Sequence, residues 1–197
     1  MSINDVYLVL VRDRKPVPAT LKLMEINHLE AFEQYWKPFL AGKVEGDQYW
    51  DWRFKDRTYG ARSGAESYAL ECEGQLQGLM LMQSLGYRSW TNPRRRLVYI
   101  HSLATAPWNR PSIQNPPQYR LVGSTFLEFA QYRSLELGYG GIVGLHSLPG
   151  AEAFYDQAGF IDCGADSEKE DLVYFECSAQ EEDENSRDQV DWGELDC

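Results

Sequence analysis

The order in which apolar runs change their period constrains this chain more than any single residue does. Two strand-like runs, SYALECEG and QLQGLMLMQS, meet at Glu73-Gly74, a dipeptide suited to a tight hairpin turn, and RRRLVYIHSLATA at 94–106 reads as a long strand. The period then becomes helical: LVGSTFLEFAQYRSLELGYGG sets Leu121, Phe126, Phe129 and Leu135 on an apolar face and stops at Gly138. GIVGLHS reads as a short buried strand, PGAEAFYDQAGF as a short helix closed by Gly159, and DLVYFEC at 171–177 as a closing strand. Early hairpins followed by a β-α-β-α-β run predict a mixed α/β or α+β domain built on a sheet.

The upstream third fits the same domain. DVYLVLVR at 5–12 and LKLMEI at 21–26 read as strands separated by the turn-rich RKPVPAT. Asn27 is placed to cap a helix in which Leu29, Phe32, Trp36 and Leu40 recur at helical spacing, and GDQYWDWRFKDR predicts a second helix. At 197 residues, with 43% hydrophobic and 25% charged residues, one folded domain over residues 1–177 is expected. Residues 178–197 hold eight carboxylates against Arg187 alone, so −7 of the net −11 lies in what reads as a disordered acidic tail. The remaining −4 argues against a nucleic-acid partner and favours a cationic or amine-bearing one, while Arg94, Arg95 and Arg96 read as a solvated strand entry. Four cysteines without a CxxC pair, no signal segment, no apolar run of membrane length and no metal-ligand spacing predict a cytoplasmic protein with free thiols, no membrane partner and no metal.

Three segments, in order, carry a resemblance. HSLATAP at 101–107 looks like a central strand ending in proline; Arg120-Leu-Val-Gly123-Ser-Thr125 is similar to an RxxGxG/A motif; Ala153-Phe154-Tyr155-Asp156-Gln157-Ala158-Gly159-Phe160 is close to an FYxxxGF segment. Together they resemble the GNAT acetyltransferase superfamily over roughly residues 66–177. That resemblance implies a mixed, mostly antiparallel sheet of about seven strands flanked by helices, and acetyl-CoA as acyl donor. It implies that Leu103, Ala104 and Thr105 meet the pantetheine arm, and that Arg120, Val122, Gly123, Ser124 and Thr125 surround the pyrophosphate, chiefly through peptide N–H groups at a helix N-terminus. The chain departs from the pattern at Thr125, at Leu148 where many relatives have asparagine, and in the Pro-rich insertion between Pro107 and Arg120.

Acyl transfer to an amine needs a proton acceptor for the nitrogen and a proton donor for the departing thiolate. The resemblance gives Tyr155 the general-acid position. Strand alternation puts Tyr99, His101, Leu103 and Thr105 on one face, and YIHSLATAP resembles the HxHxLAV arrangement of arylalkylamine acetyltransferases, so His101 is the expected base beside Tyr99, with His146 in reserve and His28 without a partner. Tyr49, Trp50, Trp52 and Phe54 border the expected acceptor pocket or pack in the core, and Glu71 and Glu73 are candidates to receive an amine's charge or are simply solvated. The expected function is transfer of an acetyl group to a small amine or a peptide amino group. The alternative is a non-catalytic acyl-CoA sensor or interaction module of the same fold. A homodimer, and a basic partner for the tail, are left open.

Overall fold

The computed structural model describes residues 2–177, so the acidic tail expected at 178–197 lies outside the described residues. The strands are β1 (Ser2–Leu10), β2 (Lys15–Leu23), β3 (Ala65–Cys72), β4 (Gln75–Gln83), β5 (Val98–Thr105), β6 (Tyr119–Arg120), β7 (Val143–His146), β8 (Ile161–Asp166) and β9 (Leu172–Cys177). They form one sheet in the order β6-β1-β2-β3-β4-β5-β7-β9-β8, antiparallel throughout except for the parallel β5–β7 pair.

The described residues form nine strands where about seven are expected, the additional ones being β6 and β8. β6 has two residues, too few to show any alternation, and is a strand only because it pairs with Val9 and Leu10 of β1. β8 lies at the sheet edge, mostly exposed, and a bulge between Asp162 and Ala165 breaks its register. β2 begins at Lys15 rather than 21 despite Pro16 and Pro18. These prolines are tolerated because β3 pairs with β2 only from Ala19 onward, so no neighbour on that side needs their missing N–H groups. Glu73 and Gly74 both take positive φ, 51° and 73°, as a two-residue hairpin turn requires.

The first helical stretch runs as α1 (Ile26–Ala31), a π-helical segment (Phe32–Trp36) and α2 (Lys37–Leu40). Its cap is Glu25, not Asn27. The second expected helix is shorter than its sequence suggested: Asp51 caps α3 (Trp52–Lys55) by accepting from the Phe54 N–H at 2.8 Å, and a π-helical turn (Asp56–Gly60) follows. These elements pack Phe32, Trp36, Leu40 and Trp52 against Leu79, Leu81 and Ala104 on one sheet face. On the other face α4 (Val122–Glu136) and α5 (Glu152–Gln157) pack Phe126, Phe129 and Tyr155 against Met80, Val98, Ile100 and Phe175. Gly78 is required here, because a Cβ would run into the Phe126 ring.

A third small cluster, Leu97, Tyr99, Ile142 and Tyr174, is covered by the segment between β4 and β5. Glu176 pins that segment. Its carboxylate, 1% exposed, accepts from Ser89 Oγ at 2.5 Å, Thr91 Oγ1 at 2.6 Å, the Trp90 N–H at 2.8 Å and Tyr174 Oη at 3.1 Å. Glu176→Ala leaves these donors without an acceptor, and a loss on the order of 3 kcal/mol is expected in chemical denaturation.

Candidate active site

β5 and β7 pair at Val98–Val143, Tyr99–Gly144 and Ile100–Leu145, and there the pairing stops while β5 runs on to Thr105. Past these pairs the ladder between the two strands is interrupted, leaving a gap in their pairing. The Ala106 N–H bonds to Gln77 O at 2.8 Å, so the two-residue alternation turns the backbone polar groups of Leu103 and Thr105 away from β4 and toward the gap, and those of Ala104 toward β4. Arg110 takes the Thr105 carbonyl, through Nε at 3.0 Å and Nη2 at 2.7 Å. Leu103 therefore presents the backbone pair that remains.

A bulge corrects the expected facing of β5. Leu81 pairs with Ser102 and Met82 with Ile100, so His101 is the extra residue. Tyr99 and His101 share a face as expected, their ring centroids 5.9 Å apart. Leu103 does not share it; past the bulge it packs in the α4 core with Val98 and Ile100.

α4 starts near the open end of β5. Its cap, Leu121, takes φ 75°, and the Thr125 N–H and hydroxyl both donate to the Leu121 carbonyl, at 2.9 and 2.8 Å. Thr125 thus spends its amide inside the helix, and Val122, Gly123 and Ser124 carry the first-turn N–H groups that have no intrahelical acceptor. Gly123 is demanded by close packing: a Cβ would stand 2.8 Å from Phe154 Cζ. Arg120 is exposed on β6 beside this turn. A helix of 15 residues with a bare first turn suits a phosphate-type anion, which a pyrophosphate would supply.

The segment between α2 and α3 straps the gap. Arg110 holds Asp47 through two bonds of 2.6 and 2.7 Å and Glu45 through one of 3.2 Å, while Gly46 sits so close to Leu148, just past β7, that a Cβ would come within 3.2 Å of its side chain. Leu148 is thus a packing residue under the strap.

Two titratable groupings flank the gap. Tyr155 packs among Phe154, Phe160 and Phe175, and burial pushes its phenol up to about 12. On the other face Tyr99 Oη lies 2.7 Å from His146 Nδ1, and His146 Nε2 lies 2.9 Å from Asp166 Oδ2. Asp166 accepts the Nε2–H, so Nδ1 accepts from Tyr99. Burial lowers the His146 pKa, against the pull of Asp166, and raises that of Tyr99. His101 lies against Tyr59, ring centroids 3.9 Å apart and planes tilted by 34°; burial first, then Lys55, Lys169 and Arg62, lowers its pKa to about 4.

Sequence reasoning paired Tyr99 with His101 and held His146 in reserve; the partner it missed is Asp166, on a strand it did not see. It also left His28 unpartnered, whereas His28 Nδ1 accepts from the Glu25 N–H and Nε2 meets Glu71 at 2.9 Å. Glu71 is further tied to Lys22 at 2.6 Å and Glu73 accepts from Tyr119 at 2.5 Å, so both carboxylates are committed to structure. Of the aromatic cluster, Trp52 is core, Trp50 lies under the Lys55 ammonium, and Tyr49 and Phe54 are exposed.

A mostly antiparallel sheet opened at one parallel pair, with helices on both faces and a bare helix N-terminus near the opening, is the GNAT fold. The chain superposes on the PaiA N-acetyltransferase from Thermoplasma acidophilum, solved with coenzyme A, at TM-score 0.54 and 15% identity, over 81% of this chain and 98% of that one. A GNAT-family acetyltransferase from Listeria monocytogenes matches at 0.54 and 14%, over 87% and 98%, and FeeM, an N-acyl amino acid synthase from uncultured soil microbes, at 0.57 and 11%, over 83% and 91%. At these identities the likeness is one of fold. No protein-family model and no curated protein matches the sequence.

Two outcomes follow from this geometry. Arg110→Met leaves Asp47 buried without its partner and lowers stability by about 3–5 kcal/mol, read by chemical denaturation. The His101 pKa falls from near 6.5 to about 4 on folding, so its contribution is fully present above pH 6.5 and is lost as pH drops toward and through 4. Wild type should lose more stability than His101→Gln between pH 7 and pH 4.

Proposed function

We propose that the chain is an acyl-CoA-dependent N-acyltransferase that moves an acetyl group to a primary amine. The observation that carries this reading is the gap itself, with the Leu103 backbone pair on one wall, the bare first turn of α4 nearby, and a proton-holding phenol and an imidazole relay on opposite sheet faces. Acetyl-CoA, when bound, supplies the acyl thioester. Val122, Gly123 and Ser124 receive the pyrophosphate on their N–H groups, with Arg120 at the rim, and Leu103 fixes the pantetheine amides.

Tyr155 keeps its proton at neutral pH because its surroundings are apolar, and donates it to the leaving sulfur as the nitrogen–carbonyl carbon bond forms and the carbon–sulfur bond breaks; the second proton shed by the nitrogen restores the phenol through water. On the acceptor side Tyr99 takes the ammonium proton on Oη, directly or through one water, as its own proton passes to His146 Nδ1; Asp166 stabilises the resulting imidazolium. His101 is too weak a base for that task at a pKa of about 4 and serves as a neutral wall of the acceptor space. The acceptor nitrogen belongs to a small molecule or to a peptide.

Melting temperature should rise with acetyl-CoA concentration, and the absence of any rise at saturating concentrations would remove the donor site. In Tyr155→Phe, kcat is expected to fall by roughly 100-fold with little change in KM for acetyl-CoA. His146→Gln should lower kcat and remove the acid limb of its pH profile. Unchanged turnover in Tyr155→Phe would take the acid role from this residue.

A further inference from the structure

The chain is acidic overall, yet the charges that dominate at His101 are positive, and they arrive from three separate elements. Lys55, at the end of α3, donates from Nζ to Ser102 Oγ at 3.0 Å and sits 3.9 Å above the centre of the Trp50 ring. Ser102 is buried in β5 next to the bulge, so this ammonium is held against the same strand that carries His101. Arg62, beyond the π-helical turn, lays its guanidinium 4.7 Å from the centre of the Tyr59 ring, which itself covers His101 at 3.9 Å. Lys169, in the turn between β8 and β9, adds its charge to both His101 and His146.

None of the three makes an ion pair among the described residues. The carboxylates nearby are committed elsewhere: Asp47 to Arg110, Asp166 to His146, and Asp56 to the Ser67 hydroxyl at 3.1 Å. Lys22, Arg110 and Arg133, by contrast, are each neutralised by a carboxylate. Asp47 lends the Lys55 ammonium some counter-charge but is already engaged by two bonds from Arg110, so this desolvated ammonium still repels a second cation and favours an anion.

Resting on the transferase reading, we propose that the rim formed by Lys55, Arg62 and Lys169 binds a carboxylate of the acceptor, so that the substrate is an amine carrying its own carboxylate, of the amino-acid class. This reverses the preference suggested by net charge alone, because the −11 of the whole chain is not the field at the site. Lys55 and Arg62 anchor the carboxylate against the aromatic wall of Tyr59, and the amino group reaches Tyr99 and the relay behind it. A polyamine or a lysine side chain would bring positive charge to positive charge.

The test compares phenylalanine, phenylalaninamide and 2-phenylethylamine as acceptors with acetyl-CoA, which share a ring and a primary amine and differ in the carboxylate. A kcat/KM for phenylalanine at least about tenfold above the other two is expected, equivalent to roughly 1.4 kcal/mol. Lys55→Gln and Arg62→Gln should bring the ratio toward one, whereas Lys55→Arg keeps it, which separates lost charge from lost packing. Equal or better use of the amide or the decarboxylated amine would overturn the proposal. Calorimetric titration with N-acetylphenylalanine and N-acetyl-2-phenylethylamine reads the carboxylate site without turnover. Tighter binding of the acid that is lost in Lys55→Gln, with no acceptor ever acetylated, would keep the carboxylate site and remove the transferase reading; equal binding of the two would remove the carboxylate site.

Discussion

Parallel pairing between β5 and β7 lasts for three residue pairs, and the place where it stops sets the position of every candidate group. A buried strand edge is normally satisfied by its neighbour, because an unpaired amide or carbonyl away from water costs as much as a lost hydrogen bond. Here one of the exposed carbonyls, Thr105, is taken over by Arg110, and Leu103 is left for solvent or a ligand. The same arginine holds Asp47 and Glu45, so the end of the strand and the strap beside the gap are one electrostatic unit. The bulge at His101 adds a second effect. It lets two consecutive side chains, His101 and Ser102, face the side of the sheet that carries α3, which brings Lys55 to the strand through Ser102.

The two sheet faces give their titratable groups opposite surroundings. Tyr155 is enclosed by rings and keeps a neutral, proton-bearing phenol. Tyr99 sits in an apolar cluster too, but its hydroxyl is aimed at an imidazole that is itself fixed by a carboxylate. In the proposed mechanism one environment stores a proton and the other passes it on, a division that can be set by packing alone without a change of residue type. The sheet lies between the two groupings, Tyr155 on the face of α4 and α5 and Tyr99 on the other.

Much of the sheet was legible because long strands announce themselves. β4 is buried at eight of its nine positions, and Glu73-Gly74 marks its turn unambiguously. α4 showed its length and its stop at Gly138, and the glycine, phenylalanine and tyrosine of the late segments stood at spacings that resemble a known family. What could not be read was set by distant partners. Nothing in IDCGAD says strand until β9 is beside it, and with β8 unseen Asp166 had no reason to be matched with His146. Tyr119 and Arg120 are a strand only by virtue of β1. The facing of Leu103 was misread because a bulge leaves no trace in composition; it is a property of the register with β4. The field at His101 was hidden for a similar reason, since Lys55, Arg62 and Lys169 are scattered along the chain and meet only in space.

The short β1–β6 contact has an implication for the order of assembly. It joins Val9 to Arg120, a loop of more than a hundred residues, larger than that closed by any other described strand pair. The entropy of closing a loop grows with its length, and here it is offset by two residue pairs, the Val11 N–H bond to the Gln118 carbonyl and the burial of Leu8 and Tyr119 in one cluster. The central hairpins can collapse onto α4 well before that contact is made, yet the turn that presents Val122, Gly123 and Ser124 begins one residue after β6. Under the proposed function, a chain with its sheet core formed would still lack a moored first turn of α4, which makes donor binding a late reporter of folding, sensitive to the N-terminal strand although that strand lies four places from β5 in the sheet.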